Sequence, residues 1–233
     1  MVWTGWPGLF KQGGCCRGLQ VICKSTKHKM GTILLTKNEI ITKNNTNIPE
    51  YYVPDPFLHL GNIRDRVHFN MSLEMLNRYK IETVLDIGCY DGWLDFLLIN
   101  SGYQVTGIEL IEDLCEAAKR YTTAHSLNYT IYQGFFEDLD IPGTYDAILC
   151  FETLEHMPFE SIPGVLKKME SLTTKAVYLS LPDQDHTLNT QHLWTPTKEV
   201  INELFKNKKN FKVDYFSYTG TTIPSNWFIT YEL

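Results

Sequence analysis

Between residues 82 and 206 short apolar, β-rich runs alternate with helical patterns, and no other feature of this 233-residue chain restricts its fold so tightly. The strand-like runs fall at 82–87, 103–108, 128–133, 144–150 and 175–181, with helical patterns between and after them at 92–100, 111–124, 159–170 and 195–206. Strand, helix, strand at this rhythm makes crossover connections, so the strands run parallel and helices cover both faces of the sheet. The expectation is an α/β, doubly wound, mostly parallel sheet. The tail changes character: FKVDYFSY and NWFITYEL, joined by a loop holding Gly220 and Pro224, predict an antiparallel hairpin at the sheet edge.

The length suits one domain with an N-terminal extension. Residues 1–30 are rich in Gly and Lys and lack a sustained apolar period, so they read as disordered or as an extension upstream of a start at Met30. Residues 31–69 read as an arm or lid: a short strand pair or irregular segment at Thr32–Ile41, then the polar tract KNNTN, then a loop from Pro49 to Pro56. Residues 70–233 form the main domain. Its first helix is expected at Asn70–Tyr79, where Met71, Leu73, Met75, Leu76 and Tyr79 recur near helical spacing.

Charge and cysteine usage exclude several function classes. Residues 1–38 hold six Lys/Arg and no acid, which leaves 15 basic against 27 acidic residues in the remainder, a balance that repels a phosphate backbone. A nucleic-acid partner is therefore not expected, and Lys206, Lys208, Lys209 and Lys212 read as a solvated face. No run approaches the eighteen or so apolar residues of a membrane helix. The six cysteines, Cys15, Cys16, Cys23, Cys89, Cys115 and Cys150, show no CxxC pair, which points to a reducing, cytoplasmic setting.

The chemistry concentrates at Val84-Leu85-Asp86-Ile87-Gly88-Cys89-Tyr90-Asp91-Gly92. A buried strand ends at Asp86, Gly88 lets the turn run close to a ligand, and Gly92 opens the next helix, the place where open α/β sheets bind nucleotide-like ligands. A pyrophosphate at that helix N-terminus would face Asp86 at short range, and the glycine spacing also misses G-x-G-x-x-G. S-adenosylmethionine carries an ammonium and a sulfonium and no phosphate, so the acid favours it over NAD. Glu109 follows the second strand 21 residues after Gly88, placed to accept both ribose hydroxyls or to cap the helix beginning at Ile111.

DIGCYDG, TGIEL, YQGFFEDL and YDAILCFETLEHM, in this order over roughly residues 70–205, resemble the class I S-adenosylmethionine-dependent methyltransferases, in particular the group that includes ubiquinone-biosynthesis enzymes. The resemblance implies a seven-stranded sheet of order 3-2-1-4-5-7-6 with the last strand antiparallel. It implies methyl transfer from S-adenosyl-L-methionine to an O, N or C nucleophile of a small-molecule acceptor, leaving S-adenosyl-L-homocysteine. By motif, Asp86, Gly88, Tyr90 and Gly92 would hold the methionine end, Glu109 the ribose and Leu110 the adenine, with Cys150 at the end of the fourth strand. The family commonly has Gly-Asp after the third strand. Here Gly134 precedes Phe135-Phe136-Glu137, so Phe136 and Glu137 would replace it.

Glu152 and His156, four apart, would share a face on a helical turn, and either suits a general base. Glu152, Glu155 and His156 with His186 or His192 also resemble the ExxEH-plus-His metal site of small-RNA 2′-O-methyltransferases and of some ubiquinone O-methyltransferases, an alternative to metal-free transfer, as is a non-catalytic cofactor-binding module. The loop at 183–196 is expected to border the acceptor, with His192 and Trp194 as candidates, and Thr195 with Pro196 is expected to start the following helix.

Overall fold

Seven strands form one sheet in the computed structural model, which describes residues 35–44, 49, 51–184, 189, 191–218 and 223–233. The strands are β1 (Thr83–Ile87), β2 (Gln104–Glu109), β3 (Thr130–Gln133), β4 (Tyr145–Phe151), β5 (Thr173–Pro182), β6 (Lys209–Phe216) and β7 (Asn226–Glu232). Their order is β3-β2-β1-β4-β5-β7-β6. The first five run parallel, and β7 lies antiparallel to both β5 and β6. The sheet and its edge hairpin are those expected from the sequence.

Period-two alternation divides each central strand between two cores. Val84 of β1 packs on one face with α3 (Ile63–Arg78) and α4 (Trp93–Asn100), where Leu76 and Leu98 are fully buried. Leu85 and Ile87 turn to the other face, against α6 (Ile162–Leu172) and α7 (Lys198–Phe205). Each fully buried Leu or Ile contributes about 1.5–3 kcal/mol, so the sheet centre is the most heavily anchored region. α5 (Glu112–His125) packs against α4 through the stacked rings of Tyr121 and Phe96, their centroids lying 4.3 Å apart.

The N-terminal arm departs from expectation. Residues 37–44 form a helix, α1 (Lys37–Asn44), where a strand pair or irregular segment was expected at 32–41. The cause is a capping box: Glu39 accepts from the Thr36 N–H (2.7 Å) and hydroxyl (2.8 Å), while Thr36 Oγ1 accepts from the Glu39 N–H. Residues 32–34, like residues 1–30 and His186, lie outside the described residues. α2 (Pro56–His59) starts at a proline capped by Asp55. α3 begins seven residues before the predicted helix, capped by Asn62, because its first two turns carry polar side chains rather than an apolar stripe. α7 is capped by Thr197, whose oxygen accepts from Val200 N–H, rather than by Thr195, whose carbonyl accepts from Thr197 N–H. Among the described residues, no helix is long and apolar enough to cross a membrane.

Candidate active site

A cavity of about 770 Å³ opens at the carboxyl ends of β1, β2 and β4 and is roofed by the arm and the start of α3. Its floor is the turn after β1. Gly88 has φ +78°, and a Cβ there would come within 2.2 Å of Thr153 Oγ1, so the glycine is required by the neighbouring turn as much as by any ligand. Gly92, also left-handed at φ +80°, caps α4 over the Phe96 ring and stands outside the cavity lining.

Two acids flank this turn. Glu109 accepts from Tyr90 N–H through Oε2 (3.0 Å) and from Ile111 N–H through Oε1 (2.8 Å), so it ties the glycine turn to the start of α5. Burial pushes its pKa up to about 7 against the pull of those backbone donors. Asp86 is likewise raised by burial, to about 6, moderated by a hydrogen bond with Asp95. Asp95, buried on α4 and bonded by the Tyr129 hydroxyl, is raised well above the usual range by burial and then by Asp86. The proton of the pair resides on Asp95, which leaves Asp86 the charged partner facing the cavity.

Leu110, Ile111, Phe135, Phe136 and Glu137 form a mainly apolar wall beyond Glu109. Lys168 of α6 fixes that wall from beneath: its Nζ donates to the carbonyls of Phe136 (2.6 Å), Glu137 (3.2 Å) and Leu139 (2.5 Å). From the arm, Lys37 pairs with Asp138 and lies over the Phe135 ring.

The roof is clamped to the floor. Tyr52 donates to Asp91 (2.6 Å), and its carbonyl accepts from the Arg120 guanidinium. His59 stacks on Trp93, bonds Asp65 through Nδ1 (3.0 Å) and faces Asp91 through Nε2 (3.6 Å). Burial alone would lower its pKa, but these two acids outweigh it and raise it to about 9. Arg64 is the one Lys or Arg among the described residues lining the cavity, and it spends only Nε on Asp65 (3.2 Å).

Glu152 lines the cavity at a left-handed turn, φ +50°, so it does not share a helical face with His156; a short 3-10 turn spans only Leu154–His156. Its Oε1 accepts from Ser180 (2.9 Å) and Asn226 (2.6 Å). Glu155, His156 and His192 bring one ligand atom each within 4.8 Å of one another, a set suited to a divalent cation, and Glu152 is turned away from it. Both Glu155 oxygens are buried without a hydrogen bond, and burial drives its pKa well up. Trp194 is a core residue, donating to Leu154 carbonyl (3.0 Å), and Cys150 is buried inside the sheet core; neither lines the cavity.

Residues 84–176 match a family described as a methyltransferase domain. Over this segment the chain is similar to methyltransferase domains. Ubiquinone biosynthesis O-methyltransferases resemble it: that of Rickettsia akari (strain Hartford) is 29% identical over 90 residues, 39% of this chain and 34% of the relative. That of Xanthomonas campestris pv. campestris (strain B100) is 38% identical over 77 residues, 32% of each chain. The chain thus matches about a third of the length of these curated relatives. The crystal structure of magnesium protoporphyrin IX methyltransferase from Synechocystis PCC 6803 with bound SAH superposes with a TM-score of 0.59 at 17% identity, covering 73% of this chain and 87% of the other.

Of the residues singled out from the sequence, Asp86, Gly88, Tyr90, Glu109, Leu110, Phe136, Glu137, Glu152 and His156 all line one cavity. Gly92, Cys150, Glu155 and His192 do not. Sequence reasoning missed Arg64, His68, Lys168 and Ser180, which carry no motif; only the polar spacing of the start of α3 hinted at a pocket-facing surface.

Proposed function

We propose that this chain transfers a methyl group from S-adenosyl-L-methionine to an oxygen, nitrogen or carbon nucleophile of a small-molecule acceptor, releasing S-adenosyl-L-homocysteine. The observation that carries this reading is the pair of buried acids, Asp86 and Glu109, at the tips of adjacent strands around the left-handed Gly88. Such a floor repels pyrophosphate and suits an ammonium and a ribose diol. Arg64 is the cation available to the methionine carboxylate, while Leu110 and Phe136 take the adenine. Glu152 stands where an acceptor would enter and takes its proton as the new bond to the methyl carbon forms and the C–S pair returns to sulfur. Alignment of nucleophile and methyl carbon in the cavity supplies much of the rate.

The relatives' name, ubiquinone biosynthesis O-methyltransferase, inclines the reading toward an oxygen nucleophile on a small molecule, and the acidic body argues against nucleic acid. The arm expected at 31–69 supplies a lid, since Tyr52, Leu58 and His59 line the cavity, and its boundary with the domain expected at 70–233 falls earlier, where α3 (Ile63–Arg78) begins. Unpaired Cys89, Cys115 and Cys150 support a reducing, cytoplasmic setting.

The buried Glu155 oxygens, which make no hydrogen bond and have only His156 Nε2 at 3.7 Å, favour a second reading, in which Glu155, His156 and His192 hold a divalent cation that supplies Lewis-acid assistance. Isothermal calorimetry tests both. Micromolar S-adenosylhomocysteine binding with no heat from NAD is expected; NAD binding instead would overturn the first reading. Absence of heat on titrating Mg²⁺ or Mn²⁺ into the chain would remove the second.

A further inference from the structure

Behind Glu152 lies a hydrogen-bonded chain that the cofactor site does not use. His68 on α3 and Ser180 on β5 are both buried, at 3% and 0% exposure. His68 Nδ1 lies 2.9 Å from the Arg64 carbonyl, which can only accept, so Nδ1 carries the proton. His68 Nε2, 2.8 Å from Ser180 Oγ, is then left as an acceptor. Ser180 Oγ also lies 2.9 Å from Glu152 Oε1 and receives the Glu152 N–H at 3.2 Å. One hydroxyl proton therefore faces two acceptors, the imidazole and the carboxylate.

We propose that Ser180 and His68 form a hydroxyl switch that lets Glu152 hold or release a proton at the cavity wall. It rests on the reading of Glu152 as the proton acceptor in methyl transfer. With Glu152 ionised, Ser180 and Asn226 both donate to it, and His68 Nε2 goes without a donor. Once Glu152 has taken the acceptor's proton, Glu152 donates to Ser180, Ser180 turns to His68 Nε2, and every group in the row is satisfied. No atom other than that proton changes hands, and it leaves to water when the product departs. His68 and Ser180 are positioning residues. Burial supports the assignment by driving His68 down to about 4, which keeps it neutral.

Other ionisable groups facing Glu152 are Arg64 and Asp65 on α3, Glu155 on the 3-10 turn, and Tyr218 after β6. Arg64 and Asp65 oppose each other in sign, and burial drives Glu155 toward its neutral form, so the Ser180 proton decides between the two states of the carboxyl.

The test titrates Glu152 in the full chain by the infrared carbonyl stretch that Glu152→Gln removes. Ser180→Ala, which takes a donor from the ionised form, is expected to raise the midpoint by about one pH unit. His68→Phe, seated between Phe151 and Phe228, removes the competing acceptor and is expected to lower it. Shifts in the same direction, or none, would overturn the switch. Nitrogen-15 NMR of the unmutated chain gives a check that needs no variant: His68 is expected as the neutral Nδ1–H tautomer, and an Nε2–H or charged ring would refute the proposal. These readings involve neither cofactor nor turnover, so failure here is separable from failure of S-adenosylhomocysteine to bind.

Discussion

Glu109→Gln separates the ligand-binding role of this carboxylate from its structural one. Glutamine keeps one carbonyl oxygen for either Tyr90 N–H or Ile111 N–H and turns an amide donor toward the other. The lost buried bond costs about 1–3 kcal/mol. Against this, raising the pKa from 4.5 to about 7 means that the native carboxyl pays to ionise in place. Because the folded state binds the proton more tightly, stability falls as pH rises through that window, by about 3 kcal/mol in total. Glutamine escapes that penalty, so at alkaline pH the fold should change by less than about 2 kcal/mol. Ligand affinity should respond differently. If ribose hydroxyls donate to ionised Glu109, the loss of that charge alone weakens S-adenosylhomocysteine about 30-fold at about pH 5.5 relative to about pH 8.5, and the titration of Asp86 brings the total to about 100-fold. Glu109→Gln should bind weakly at both values, keeping only the roughly fourfold slope expected from Asp86, whose pKa is about 6. Calorimetry across this range, with thermal melts in parallel, measures both quantities. Parallel pH profiles for the two proteins would refute the assignment.

Gly88→Ala should destabilise the chain by about 2–4 kcal/mol and abolish cofactor binding, since it combines a left-handed backbone with a Cβ pressed on Thr153; denaturant unfolding and calorimetry read the two effects. Lys168→Met keeps the aliphatic stem and removes the donor to three carbonyls, and is expected to cost about 2–4 kcal/mol and to weaken adenosine binding as well as S-adenosylhomocysteine binding, a loss common to both ligands that calorimetry would detect. Arg64→Gln should weaken S-adenosylhomocysteine by about 10-fold or more and leave adenosine unaffected, because only the former carries a carboxylate; equal losses would place Arg64 elsewhere.

The strand–helix rhythm was enough to give a mostly parallel sheet covered on both faces with an antiparallel hairpin at its edge, because alternating elements of that length need crossover connections, whereas the strand order came only with the resemblance of the motifs to a known family. The glycine turn, Asp86 and Glu109 were legible for a related reason: they are local, a few residues on one strand end and the next. Even there, tertiary contacts altered the meaning. Gly88 makes room for Thr153, 65 residues on, and Glu109 spends both oxygens on backbone donors before any ligand arrives. The capping box Thr36–Glu39 was readable but obscured by a polar helix with one buried residue, Ile40. What no local pattern conveys is convergence: His68, Ser180 and Asn226 lie on three different elements and Glu152 in the turn after β4, and Arg64 reaches the cavity only because α3 packs across the sheet ends. Periodicity records which face of an element is buried; which buried polar groups then meet is decided by the packing of the whole domain.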